Sequence, residues 1–303
     1  MMAMTGELIR LADFHSLEVE TMKRTIQKRR RSVRFLDGRP VVNIDGAPYT
    51  LRQIVSAGTD NPKTAKNTSN DWLAACVVLA PADSSGVANL CAFAGECVKT
   101  CLDHQGKGAA PGDLGRMIHA PRIARSVVFT RANRWFMRQF AHELTHTWLP
   151  KAQKQNKRLC MRGNMLSDVP WENTGIVDDF PTVQWYDYTK NPNRVGWIRP
   201  NYYVTFSRDT SKDDQLCKRL LSEGKNVAIA YDDGRTSGGR NLHGVGCAAP
   251  KTWNGFPCID GDITDARWQD KPGHVVMLRL KAASASERAK ALASGFAIQN
   301  WDN

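Results

Sequence analysis

Cys91, Cys97 and Cys101 share one short loop with glycine and polar residues. Three thiolates at this spacing can converge on one soft metal ion or one iron–sulfur cluster. His104 follows three residues later and would complete a Cys3His zinc site; without a fourth protein ligand, a four-iron cluster would keep one iron open to substrate. The competing reading makes them reduced core thiols. Core cysteines are usually dispersed, which favours the metal reading for a cluster in a polar loop.

A second pattern, His142-Glu143-Leu144-Thr145-His146, fits H-E-x-x-H, which on a helix puts two histidines on one face with the glutamate as base. Glu172 or His243 would have to supply a distant third ligand. The surrounding Trp135, Phe136, Phe140, Leu144 and Trp148 recur at helical steps, as in an ordinary amphipathic helix packed on a sheet. The sequence therefore places the two histidines at the surface or in support of a neighbouring site.

Polar residues recur where strands should end. Arg162-Gly163-Asn164-Met165-Leu166-Ser167-Asp168 follows one candidate strand, Asp187-Tyr188-Thr189-Lys190 a second, and Ser207-Arg208-Asp209 a third. In parallel sheets the carboxyl ends of strands face the ligand, so Asp168, Asp187, Tyr188 and Ser207 are candidate catalytic residues by position. Any one of them could instead cap the next helix; their repetition carries the argument. Asp260-Gly261-Asp262 with Asp265 forms an acidic group suited to a cation or a ribose, although Asp-Gly is also turn chemistry.

The elements that must position these groups read as α/β. Ala74 to Leu79 is a buried strand; Arg158 to Met161, Thr182 to Tyr188, Tyr202 to Phe206, Val227 to Tyr231 and Val275 to Leu280 are further strands. Ala132 to Gln155 has helix composition, kinked or ended at Pro150, and Lys212 to Gly224 makes a second helix closed by its glycine. Asp45-Gly46 between Val41–Ile44 and Tyr49–Leu51 predicts a hairpin. Short buried strands alternating with helices predict a complete or partial parallel β/α (TIM-like) barrel, with a doubly wound sheet as the alternative. Residues 1–60 form a basic arm with the hairpin, and 61–303 a barrel-like domain carrying the cysteine loop.

Composition narrows the partners. The chain of 303 residues carries a net charge of +12 with a pI near 9.4, which favours polyanions such as nucleic acid or phosphorylated substrates. Lys23, Arg24, Lys28, Arg29, Arg30, Arg31 and Arg34 could track phosphates, the bland alternative being a solvated helix face. No apolar run approaches the ~20 residues of a membrane span, and the N-terminus lacks the order of a signal peptide. A reducing cytoplasm is expected, where eight cysteines suggest metal binding or catalysis before disulfides.

The order of motifs resembles the gene product 88-like family of uncharacterised phage proteins. Its features are Asn61-Pro62-Lys63-Thr64-Ala65-Lys66, Leu79-Ala80-Pro81-Ala82, the three cysteines followed by Gly106 to Gly108, Arg122 with Arg125, Asn164 to Glu172, Tyr186 to Arg194, Tyr202 to Arg208, Asp260 to Asp265 and Ser294-Gly295-Phe296. The resemblance runs from about Asn61 onward and implies a phage or prophage setting. The layout also resembles radical S-adenosylmethionine enzymes, although the cysteine spacing is x5/x3 where that superfamily usually has x3/x2. That resemblance implies a cluster on Cys91, Cys97 and Cys101, S-adenosylmethionine held by Gly163, Asn164 and Ser167, and Asp168, Asp187, Tyr188 and Ser207 lining the barrel mouth. The expected activity is cluster-driven chemistry on a nucleotide or nucleic acid, such as DNA base modification. Two rivals stand beside it: a transglycosylase-like barrel with structural zinc and an aspartate nucleophile such as Asp168 or Asp187, and a non-enzymatic nucleic-acid-binding protein of phage replication or host takeover.

Overall fold

The computed structural model describes residues 31–68, 71–104, 110–234, 248–282 and 284–299. Lys23, Arg24, Lys28, Arg29, Arg30 and His243, all singled out above, lie outside the described residues.

The predicted Asp45-Gly46 hairpin joins β2 (Arg39–Ile44) to β3 (Ala47–Thr50), and both turn residues take positive φ, at 51° and 91°. A second hairpin precedes it: β1 (Val33–Leu36) turns into β2 through Asp37-Gly38, again with positive φ at both positions. Asp-Gly is suited to such turns because glycine meets no Cβ penalty there and aspartate tolerates it. This three-stranded antiparallel sheet packs its Val42 and Ile44 into the main core.

The main sheet begins with β4 (Val55–Ala57) and β5 (Trp72–Val77), whose six residues are all buried. A long helical excursion follows: α1 (Gly112–Arg131), α2 (Asn133–Glu143), a π-helical turn over Leu144–Trp148, and α3 (Leu149–Lys154). The chain returns through β6 (Arg158–Arg162), the short α4 (Ile176–Asp179), β7 (Gln184–Thr189), β8 (Gly196–Arg199) and β9 (Tyr202–Ser207). Then come α5 (Asp214–Ser222), β10 (Val227–Tyr231), β11 (Thr252–Trp253), β12 (Phe256–Asp260), β13 (Val275–Arg279), α6 (Ala285–Ala293) and β14 (Ala297–Ile298).

These strands make an 11-stranded sheet in the order β11-β12-β13-β10-β9-β7-β6-β5-β4, with β14 beside β10 and β8 beside β9. From β5 to β12 every neighbouring pair on this path is parallel, whereas β4 and β11 run antiparallel at the two edges. The fold is therefore α/β with a largely parallel sheet, as expected. It is open: β4 and β11 do not pair with each other, so the described residues form no closed barrel.

Side-chain alternation gives the sheet two faces. Leu73, Ala75, Val77, Leu159, Met161, Trp185, Tyr202 and Val204 share a core with Phe136, Phe140, Leu144 and Trp148 of the helical run. Burying such side chains stabilises by about 1.5–3 kcal/mol each. Trp171 sits among Phe129, Phe136 and Phe140, so the loop after β6 is locked to the helices by aromatic contacts. Pro150 does not end the helix. It falls in the first turn of α3, where a missing N–H costs least, and the wider π turn just before it absorbs the interruption. On the opposite face, Trp72, Ala74, Cys160 and Tyr186 pack against Trp268. Trp268 belongs to a strap, residues 261–270, that leaves the end of β12 and crosses this face to reach Asn67, which accepts from Asp265 N at 2.8 Å.

Candidate functional site at the carboxyl rim

The cysteine loop sits where it was expected, at the carboxyl end of the parallel strands. Asp209, just beyond β9, accepts from the backbone N–H groups of Glu96 and Cys97 at 2.8 and 2.9 Å and so pins the loop to the rim. The Cys91 thiol donates to Leu166 O at 3.4 Å and accepts from Ala82 N at 3.2 Å. Burial pushes the Cys91 thiol up to about 11 and Cys101 up to about 12, and raises Cys97 as well; the negative charge of neighbouring thiolates adds to the rise at Cys91 and Cys101. The three sulfurs are thus neighbours that hold their protons. Yet among the described residues no three His, Cys, Asp or Glu side chains gather to hold a metal ion.

The H-E-x-x-H segment has its parts on opposite sides of the helix. Glu143 is buried and accepts from Ile54 N at 2.9 Å, Val55 N at 2.9 Å and Gln139 Nε2 at 2.9 Å, satisfying the backbone that enters β4. His142 and His146 face out, with ring centroids 4.5 Å apart. No third ligand joins them among the described residues, and Glu172 is engaged by Arg194 Nε at 2.6 Å.

The strand-end residues divide between the two faces. On the helix-packed side Asn164 is a hub: its N–H donates to Asp187 Oδ1 at 2.6 Å, and its amide donates to Asp187 Oδ2 and Val169 O. Its Oδ1 accepts from Ser167 Oγ, Val169 N and Trp171 Nε1. Tyr202 Oη donates to Asp187 Oδ2 at 2.6 Å. Asp168 accepts from Thr189 Oγ1, Lys190 N and Arg194 Nη1. Gly163 is required by packing, because a Cβ there would fall 2.5 Å from the Trp171 ring. Gly163, Asn164, Ser167, Asp168 and Asp187 are therefore brought together as expected. Asn164, Asp168 and Asp187 use these hydrogen bonds to hold the loop after β6 in place. Arg31 is likewise turned inward, donating to Ser85 O and Asp45 Oδ1, while Arg34 is exposed.

Burial raises Asp187 from 3.8 to about 7, against the pull of its hydrogen bonds from Tyr202 and Asn164. A carboxyl raised on folding holds its proton longer in the native state, so its contribution to stability falls as pH rises from about 4 to 7. Asp187→Asn should flatten that part of the profile. It should also cost about 2–3 kcal/mol, because one acceptor of the three donors becomes a donor facing them. Thermal melts of both proteins at pH 5 and pH 8 check this; an unchanged pH difference in the variant would contradict it.

Tyr188 and Ser207 lie on the other face. Ser207 Oγ accepts from Lys190 Nζ at 3.3 Å, and that ammonium also donates to Arg208 O and lies 3.5 Å from Asp209. Tyr188 Oη donates to Asp265 Oδ1 at 2.9 Å, and Asp265 Oδ2 pairs with Arg162 Nη1 at 2.9 Å and accepts from Tyr186 Oη. The Arg162 guanidinium lies over the Tyr188 ring at 4.7 Å.

Next to this buried pair stands a group that sequence reasoning missed. Lys63 and Lys66 both reach Asp262 Oδ1, at 3.2 and 3.6 Å, while Asp262 Oδ2 accepts from Arg279 N. Lys281 lies in the same field, its pKa lowered first by burial and further by Lys66 and Arg279. Lys63 is buried, and the loss of water brings it down from 10.5 to about 8 despite Asp262 and Asp265. Lys63, Lys66 and Lys281 gather around Asp262 and Asp265, with Arg162 paired to Asp265 and Arg279 to Asp233 at 2.6 Å. At the end of the 3-10 turn Thr64–Asn67, which follows Lys63 and contains Lys66, the amide nitrogen of Asn67 is buried and has no hydrogen-bond partner among the described residues. Of the acidic residues read from the sequence, Asp262 meets Lys63 and Lys66, and Asp265 meets Arg162.

These features define a class: an open, mostly parallel α/β sheet with a group of partly buried basic side chains at its carboxyl rim. The chain belongs to the Gene product 88 family, whose model matches residues 51–300. No curated protein and no solved structure matches it. The resemblance to the phage group therefore holds, whereas nothing in these comparisons or in the open sheet supports the likeness to radical S-adenosylmethionine enzymes. Among the described residues no helix is long and apolar enough to cross a membrane.

Proposed function

We propose that the protein binds a phosphate-bearing ligand, a nucleotide or a nucleic-acid phosphate, in the rim basin formed by Lys63, Lys66 and Lys281. The observation that carries this reading is the sharing of one carboxylate, Asp262, by two lysines, one of them buried. A buried ammonium with half a counter-ion lies in a field that an anion would complete, and charge-assisted hydrogen bonds to phosphate are about twice as strong as neutral ones. The unpartnered Asn67 amide supplies a neutral donor beside them. Asp262 and Asp265 hold the cations in place, and Arg162 stays committed to Asp265.

Calorimetric titration with pyrophosphate and with a nucleoside triphosphate tests this reading. Binding should weaken about tenfold in Lys66→Ala and again in Lys281→Ala, roughly 1.4 kcal/mol each. Titrations with no heat and no thermal shift for either ligand would end the proposal.

A further inference from the structure

We propose that the outward face of the helical run Asn133–Lys154 binds the phosphate backbone of double-stranded nucleic acid. This surface is separate from the rim basin, and the inference stands independently of the ligand proposed there.

Arg134, Arg138, His142 and His146 follow one another at four-residue steps on this run, and all four are exposed; Lys151 and Lys154 are exposed further along. The inward face is fixed by Phe136, Phe140, Leu144, Trp148 and Ala152, which leaves the basic residues no part in the core. None of Arg134, Arg138 and Lys154 forms an ion pair among the described residues, in contrast to Arg116, Arg122 and Arg199 elsewhere on the surface. The acidic residue of the run, Glu143, is buried and bonded to backbone N–H groups, so no carboxylate interrupts the stripe.

Spacing and chemistry both select the partner. Four residues of helix rise about 6 Å. A duplex carries one phosphate charge per about 1.7 Å of its axis, so a row of cations at this step can meet several phosphates at once. Helices that lie on anionic membranes need an apolar face toward the lipid. Among the described residues the run itself carries no exposed large apolar side chain, and one exposed apolar neighbour, Phe35 of β1, reaches its Trp135. A polyanion with regularly spaced charges fits the stripe better than a lipid surface does.

The test is fluorescence anisotropy of the full chain with a labelled duplex of about 20 base pairs and mixed sequence, across roughly 50–200 mM salt. Arg134→Gln with Arg138→Gln should lower affinity at least tenfold and reduce the salt slope by about 1.8, the value for two released phosphate contacts. Both side chains are exposed and unpaired, so the melting temperature should stay unchanged. Pyrophosphate binding at the rim should be the same in the double variant as in the parent, which keeps the two proposals separable. Duplex affinity and slope unchanged in the double variant would overturn the inference. So would a double variant that loses binding to phosphatidylserine-containing vesicles while still holding the duplex.

Discussion

Asp265→Ala should lower stability by about 3–5 kcal/mol in urea denaturation, the range for removing one partner of a buried ion pair. Asp265 is fully buried and accepts from Arg162, Tyr186 and Tyr188, while its backbone N–H is held by Asn67. Without the carboxylate, a buried guanidinium and two phenols lose their acceptor at once. The cost belongs to the uncompensated Arg162 charge more than to the pair itself. Replacing both members, as Arg162→Met with Asp265→Leu, should therefore recover most of the loss. The pH dependence has a definite sign. Burial opposes ionisation of Asp265, but Arg162, Lys63 and Arg267 together hold its carboxyl below the usual 3.8. Its contribution is then fully present above pH 4 and is lost as pH falls through the lowered value. Wild type and Asp265→Ala should converge in strongly acidic solution. A loss under about 1 kcal/mol at pH 7 would mean that the strap is held by Trp268 and the backbone alone.

Much of the fold was legible because its central strands are apolar on both faces. A run such as Ala74-Ala75-Cys76-Val77 has one plausible destination, a covered parallel strand, and the similar runs at Val227 and Val275 behave the same way. The Asp45-Gly46 hairpin was legible from turn chemistry, and Asp37-Gly38 carried the same signal without being used. By contrast α1 was hidden, because it buries Ala124, Arg125, Ser126, Val127 and Val128 in succession and contains Pro121, so no one-sided apolar period marks it. Barrel closure could not be read either, since nothing local to β4 or β11 says whether sheet edges meet.

The site was half legible for a related reason. Position after a strand correctly brought Gly163, Asn164, Ser167, Asp168 and Asp187 together, but position does not tell a ligand-facing carboxylate from one consumed by its own loop. That distinction depends on the strand's two-residue period: Asp187 and Tyr188 are adjacent in sequence and point to opposite faces. Lys63 and Lys66 were visible only as part of the Asn61–Lys66 motif, because their significance arises when Asp262, almost two hundred residues away, is carried across the sheet face to meet them.

Lys63→Met should separate function from stability more cleanly than any other substitution at this rim. The ammonium is buried and its pKa is brought down to about 8, so keeping it charged at pH 7 works against folding. A lysine lowered on folding regains stability as pH rises from about 8 toward 10.5, because the native state then sheds a proton that the unfolded chain still binds. Methionine matches the length of the stem and carries no charge; it should leave Asp262 paired to Lys66 and raise stability by about 1–3 kcal/mol at pH 7. Phosphate-ligand affinity should fall by at least a hundredfold, about 2.7 kcal/mol, since the desolvated cation is lost. The parent protein should also take up protons on binding near pH 8–9, because an anion beside Lys63 restores its charge, and its affinity should weaken as pH climbs through that range. Calorimetry in buffers of different ionisation enthalpy reads this uptake directly. A Lys63→Met protein that is less stable, yet binds pyrophosphate as well as its parent, would make Lys63 a structural tether for the strap and remove the reason to place a ligand at the rim. Greater stability with lost binding is the pattern of a charge that folding tolerates and ligand binding uses.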